Sequence, residues 1–155
     1  MPFQTQVKTG MAPGVAGQKC TQNPASVLSR IAEESVTVAR FAWVGTDPAK
    51  QVKNSGSGNP LGLVVRDVLG IITTFLDEFQ NTILTGQPVE VATQGEFFAV
   101  GSGVSVYGQA VFAVLTDGSL KFDSPGATVT GAVETNYKVL EGGADGATVK
   151  ISSWI

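Results

Sequence analysis

Histidine is absent from the 155 residues, cysteine occurs once as Cys20, and charged side chains make up only 15%. The first absence excludes any His-dependent general base, nucleophilic triad or imidazole metal site. The lone cysteine permits no disulfide within the chain and, with no histidine to activate it, reads as a free thiol in a flexible segment. No apolar run reaches the ~20 residues of a membrane-spanning helix, and the N-terminus lacks the apolar core of a signal peptide. A soluble chain made in the cytoplasm, with no membrane partner, is expected. The net charge of −3 argues against nucleic acid, whose phosphates require a basic surface or stripe.

What charge there is lies unevenly. Residues 1–32 carry Lys8, Lys19 and Arg30 and no acid, whereas all 13 acids and the other seven basic residues follow, leaving that part at −6. The opening segment is also poor in large apolar side chains and is broken by Pro2, Gly10, Pro13, Gly14, Gly17 and Pro24. It has too little apolar surface to offset the entropy of ordering its backbone. The expected organisation is an extended N-terminal arm, 1–32, on a body of residues 33–155. A chain of this length buries roughly two-thirds of its unfolded surface, so the core is adequate. Charge below the usual ~25% implies a surface partly hidden in an assembly.

Along the body, Ser26–Ser35 reads as a short helical turn. VTVARFAWV (36–44) predicts a strand with Val36, Val38, Ala42 and Val44 on one face and Phe41 and Trp43 on the other, buried on both sides at its end. The breaker-rich 46–60 predicts a surface loop. LGLVV (61–65) predicts a strand. In 68–80, Val68, Leu69, Ile72, Phe75, Leu76 and Phe79 share a helical face, but Gly70 and four β-branched residues, Ile71 to Thr74, favour a strand. Short strands follow in 82–93, around a Gly-Gln-Pro turn, and in 96–101, 104–107, 127–133, 136–141 and 147–155. AVFAVLTDGSLKF (110–122) reads as a hairpin turning at Asp117-Gly118 in type I′ geometry. Short strands with Gly-rich turns and no βαβ alternation predict a mainly β sandwich or barrel.

Catalytic signals are sparse. Nucleophile-elbow and Walker spacings are missing. Carboxylate pairs for glycoside hydrolysis reduce to Glu33/Glu34, Asp77/Glu78 and Glu90 with Glu96, and adjacent acids are ordinarily solvated surface. Asp117, Asp123 and Asp145 adjoin turn residues, which explains them better than calcium does. No cofactor is expected. Phe97, Phe98, Phe112 and Phe122 are read as core; Trp43, Tyr107, Tyr137 and Trp154 would be the candidates for a sugar-binding platform.

Several phrases, in order, resemble one family: TGMAPGVAGQKCTQNP (9–24), ARFAWV (39–44), PLGLVVRD with GIITTFL (60–76), GQPVEVATQGEFFAV (86–100), VYGQAVFAVLTDGSLKF (106–122) and TVKISSW (148–154). Together they resemble the structural cement, or head decoration, proteins of tailed bacteriophages. SVLSRIAEESVT (26–37) departs from the family, where a Gly- and Ala-rich stretch is expected. The resemblance implies a non-enzymatic virion protein with a compact β-barrel or β-tulip-like body. It further implies binding, as a homotrimer, to the major capsid protein on the outside of the expanded shell. A thirty-residue extended arm reaches up to ~100 Å at ~3.3 Å per residue, enough to cross between capsid subunits. Phe3, Val7, Met11 and Val15 would be its apolar anchors, and Lys8, Lys19 and Arg30 would meet an acidic surface. The competing readings are a virion-surface adhesion module for host glycans and a carboxylate hydrolase.

Overall fold

A computed structural model describes residues 14–66 and 81–155, and every regular element among them is a strand. In chain order these are β1 (Ser26–Ala32), β2 (Val36–Thr37), β3 (Phe41–Val44), β4 (Gln51–Lys53), β5 (Gly62–Val64), β6 (Thr82–Ile83), β7 (Pro88–Gln94), β8 (Glu96–Ser102), β9 (Ala110–Val114), β10 (Leu120–Asp123), β11 (Ala132–Glu141) and β12 (Thr148–Ser152). Two closed five-stranded barrels result, ordered β1-β4-β3-β5-β7 and β10-β8-β12-β11-β9, with β2 and β6 paired separately. Closure removes the exposed edges that short open sheets would leave. Each barrel contains one short parallel pair: Ile31 and Ala32 of β1 against Gln51 and Val52 of β4, and Leu120 and Lys121 of β10 against Gly101 and Ser102 of β8. The other neighbours run antiparallel.

The barrels are joined through strands that are apolar on both faces. Successive side chains of a strand point to opposite sides. Ala42, Val64 and Val91 therefore enter a small core with Ala32, Val36, Val52 and Val89. Phe41, Trp43, Leu63 and Ala92, from the same three strands, face the other way. They join a second core with Phe97, Leu120, Tyr137 and Ile151 of the C-terminal barrel. Phe41 meets Tyr137 edge to face, with ring centroids 5.8 Å apart, and the Tyr137 hydroxyl donates to the Ala92 carbonyl at 3.2 Å. Burial pushes the Tyr137 phenol well above its ordinary range. The predicted two-sided burial at the end of 36–44 is thus observed, with Val44 alone turned outward.

The turn between β9 and β10 docks one barrel on the other. Gly118 accepts the Phe41 N–H at 2.8 Å, and a Cβ on Gly118 would strike the Phe41 carbonyl; its φ of +69° also favours glycine. Asp117 organises the turn. Its Oδ1 accepts the Ser119 N–H at 3.0 Å and its Oδ2 faces Arg40 Nη1 at 3.2 Å.

Several expectations are corrected here. Ser26–Ala32 is a strand, not a helical turn, because β7 and β4 supply partners along both its edges. The run 36–44 is interrupted: Ala39 has φ +61°, which divides it into β2 and β3 of different sheets. The loop 46–60 contains β4, whose Val52 is fully buried. The hairpin holds five residues, 115–119, between its strands, and positive φ occurs at Gly118 but not at Asp117, so its turn is not type I′. Residues 104–107 form no strand, and neither do 127–131; β11 begins at Ala132. The segment 68–80 lies outside the described residues.

Candidate functional site

The acid-free segment enters the described part of the molecule at Gly14, whose backbone lies on the Phe98 ring. It then follows β8. Gly17 donates to the Phe98 carbonyl at 2.8 Å, Phe98 donates to Gln18 at 2.8 Å, and Cys20 donates to Glu96 at 3.1 Å, with Lys19 bridged antiparallel to Phe97. These bonds occupy the N-terminal half of the β8 edge whose C-terminal half pairs with β10. On its other side the segment holds Arg66, beyond β5: the Arg66 N–H donates to Gly17 at 2.9 Å and its Nε to Ala16 at 3.2 Å. The Arg66 guanidinium also donates to Asn81 Oδ1. Residues 16–17 therefore tie the end of a first-barrel strand to an edge of the second barrel. Only glycine fits at 17, where φ is +85° and a Cβ would meet Val38.

A buried carboxylate fixes the next turn. Glu96 opens β8 and is 5% exposed, and its Oε2 accepts the Thr21 hydroxyl and Asn23 Nδ2, the latter at 2.9 Å. Its Oε1 accepts the Ser152 hydroxyl of β12 at 2.9 Å. The Thr21 hydroxyl above all, with Ser152 and Asn23, holds the Glu96 carboxyl below its ordinary value, against the opposing effect of burial. A charge in this position is tolerable because its lone pairs are met by donors. Cys20, alongside, is a free thiol raised chiefly by its own desolvation and then by Glu96.

The predicted arm residues separate. Phe3, Val7, Lys8 and Met11 lie outside the described residues. Val15 is 46% exposed and Lys19 is also exposed. Arg30 sits on β1, half-buried; its Nη1 donates to the Ser29 carbonyl, and its Nε is buried without a hydrogen-bond partner among the described residues. The structure does not bring Val15, Lys19 and Arg30 into one cluster: the first two lie along β8, the third on the other barrel. Segment 26–32, on the arm side of the charge boundary, supplies the barrel strand β1.

The other candidates resolve into structural roles. Glu33 accepts the Thr46 N–H and hydroxyl, each at 2.7 Å, which lowers its pKa, and Glu34 accepts from Ser55. Glu90 is exposed on β7, away from the buried Glu96 that was paired with it; Asp77 and Glu78 lie outside the described residues. Asp117, Asp123 and Asp145 accept backbone N–H groups of Ser119, Ser124 and Gly103. Trp43 and Tyr137 are core residues, while Tyr107 and Trp154 are exposed, so the four do not assemble into one platform. Sequence reasoning took Glu96 only as half of a carboxylate pair with Glu90, and it missed Thr21, Asn23 and Arg66. The available signal was an acid opening the apolar run EFFAV, an unusual place for a charge that is not held by donors.

The fold is shared with two solved phage structures. The chain superposes with a TM-score of 0.67 at 18% identity on a chain from the capsid of Myoviridae phage XM1, covering 99% of this chain and 98% of that one. The N base of head fibre gp8.5 of bacteriophage phi29 gives 0.50 at 12% identity, over 83% and 93%. At such identities the likeness is one of fold. No curated protein matches the chain significantly. Residues 3–153 match the structural cement protein family (E217 gp24/Pam3 gp6), and the chain belongs to that family. Its place is in the virion, on the capsid.

Proposed function

We propose that this protein grips the outer surface of the shell and stabilises it by bridging neighbouring major capsid subunits, acting by binding and without turnover. The observation that carries this reading is the anchored root of the arm. An acid-free segment, basic against a body of net −6, is fastened to both barrels at residues 16–23, with fifteen residues ahead of it in the sequence. In this reading Phe3, Val7, Met11 and Val15 are the apolar anchors, and Lys8, Lys19 and Arg30 complement acidic capsid groups. Repetition over a symmetric shell supplies avidity, so each contact can be weak. Trimerisation on the capsid belongs to the same proposal. The adhesion reading has less support, since Trp43 and Tyr137 of its aromatic set are buried.

Deleting residues 2–13 removes none of the described contacts and tests the arm directly. The truncated protein should keep its thermal midpoint and lose sedimentation with decoration-free mature capsids, by about 100-fold in affinity. Undiminished co-sedimentation would sink the assignment of the arm.

A further inference from the structure

The loop between β8 and β9 reverses the ordinary relation between polarity and burial. Val104, Val106 and Tyr107 are 65%, 55% and 70% exposed, whereas Ser105 between them is 3% exposed. This arrangement is built. Ser105 and Gly143 exchange backbone hydrogen bonds at 2.9 and 3.0 Å, and the Gly143 N–H also reaches Ser105 Oγ at 2.9 Å. A side chain at Gly142 would strike the Ser105 carbonyl, so the two loops are packed backbone to backbone. Asp145 Oδ1 accepts the Gly103 N–H at 2.7 Å, Gln109 Oε1 accepts that of Val106 at 2.9 Å, and Gly108 donates to Val139 at 2.9 Å. Every turn of the loop is held, and the held conformation puts three apolar side chains outside.

We infer that loop 103–108 is a second docking element, whose Val104, Val106 and Tyr107 insert into an uncharged apolar recess of the capsid shell. This inference rests on the capsid-binding reading above. Three observations favour that occupant. Residues 101–109, GSGVSVYGQ, contain no charged side chain, and the nearest carboxylate, Asp145, is engaged at Gly103, so the tip suits a dry contact and not an ionic one. A pinned loop has already lost the freedom that binding would otherwise remove, and an exposed Tyr, here Tyr107 next to Val106, is a common interface anchor. Third, the thirteen residues outside the structure lead into Gly14. Two residues on, Ala16 lines one groove of about 560 Å³ with Val100, Ser102 and Asp145 at the base of this loop. The root of the arm at Ala16 therefore lies beside the loop.

The test uses the full chain carrying Val104→Ser, Val106→Ser and Tyr107→Ser together, with mature capsids lacking the protein. Because all three side chains are exposed, the thermal midpoint should stay unchanged while capsid affinity falls about tenfold or more. Wild-type affinity in the triple variant overturns the loop assignment and leaves the arm reading standing; a wild-type protein that never sediments with capsids overturns both. A photo-crosslinking residue at position 107 gives an independent readout. Linkage to the major capsid protein supports the inference. Linkage to a second copy of the chain, or glycan binding by the wild type that the triple variant loses, overturns it.

Discussion

The two barrels have the same strand number and the same device of one two-residue parallel pair, yet they are filled differently. The N-terminal core holds only alanine and valine among its fully buried residues, whereas the C-terminal one is built on Phe41, Trp43, Leu63, Phe97, Leu120, Tyr137 and Ile151. Three of these large side chains, Phe41, Trp43 and Leu63, come from strands of the N-terminal barrel. The small barrel therefore does not stand on its own lining. Its wall of β3, β5 and β7 is also one side of the larger core, and the large side chains of that wall face that core. One cooperative unit with an unequal distribution of packing is the result.

That inequality can be broken most severely at Phe41. Phe41→Ala removes a fully buried aromatic from the shared core and its edge contact with Tyr137. It should cost about 3–5 kcal/mol and destabilise both barrels in a single transition, read as coincident loss of amide protection in β5 and β11. Protection lost in one barrel only would show that the shared core does not couple them. Val91→Ala tests the smaller core. It should cost about 2 kcal/mol, with the increase in exchange confined to β1, β4 and β7.

The weakest of the three effects concerns the arm root that ties the barrels together. Glu96 is held below its ordinary value, so its stabilising contribution is present above the unfolded-state value of 4.5 and is lost as pH falls through the lower folded-state value. Below pH 4.5, protection of the Gly17 and Cys20 amides should fall before that of β11, and Glu96→Gln should blunt this pH dependence. Identical acid profiles at the arm root and in β11 would contradict a local role for the carboxylate.

The shared wall was the most legible part of the chain. Apolar residues on both faces of FAWV and the dense run LGLVV follow directly from burial on two sides, and the turns at Gly86 and Gly118 mark real strand connections. Strands β1 and β4 were not legible. Val27 and Ile31 of β1 are exposed, and β4, Gln-Val-Lys, has Val52 as its single buried residue within a loop rich in Gly, Asn and Pro; both form because neighbouring strands offer open edges. The phrase VSVY misled for a different reason. Its alternation is real but inverted, with the serine inside, because Ser105 is held against Gly143 by backbone and hydroxyl hydrogen bonds instead of by a ladder. The charge boundary gave no hint of how the segment is attached, since the Glu96 donors Thr21, Asn23 and Ser152 are far from Glu96 in sequence.

The pairing of residues 17–20 with β8 has one more consequence. Without those residues, half of one strand would present unsatisfied N–H and C=O groups at the seam of the barrel, a template for any extended segment of suitable length. A chain trimmed no further than residue 13 keeps that seam sealed, whereas one trimmed past Cys20 opens it. The same opening in the intact protein would let the arm of one molecule lie in the seam of the next, an exchange that preserves every bond while linking separate copies. Glycine at 17 and the Thr21 hydroxyl on Glu96 belong to the contacts that such an exchange would have to break first.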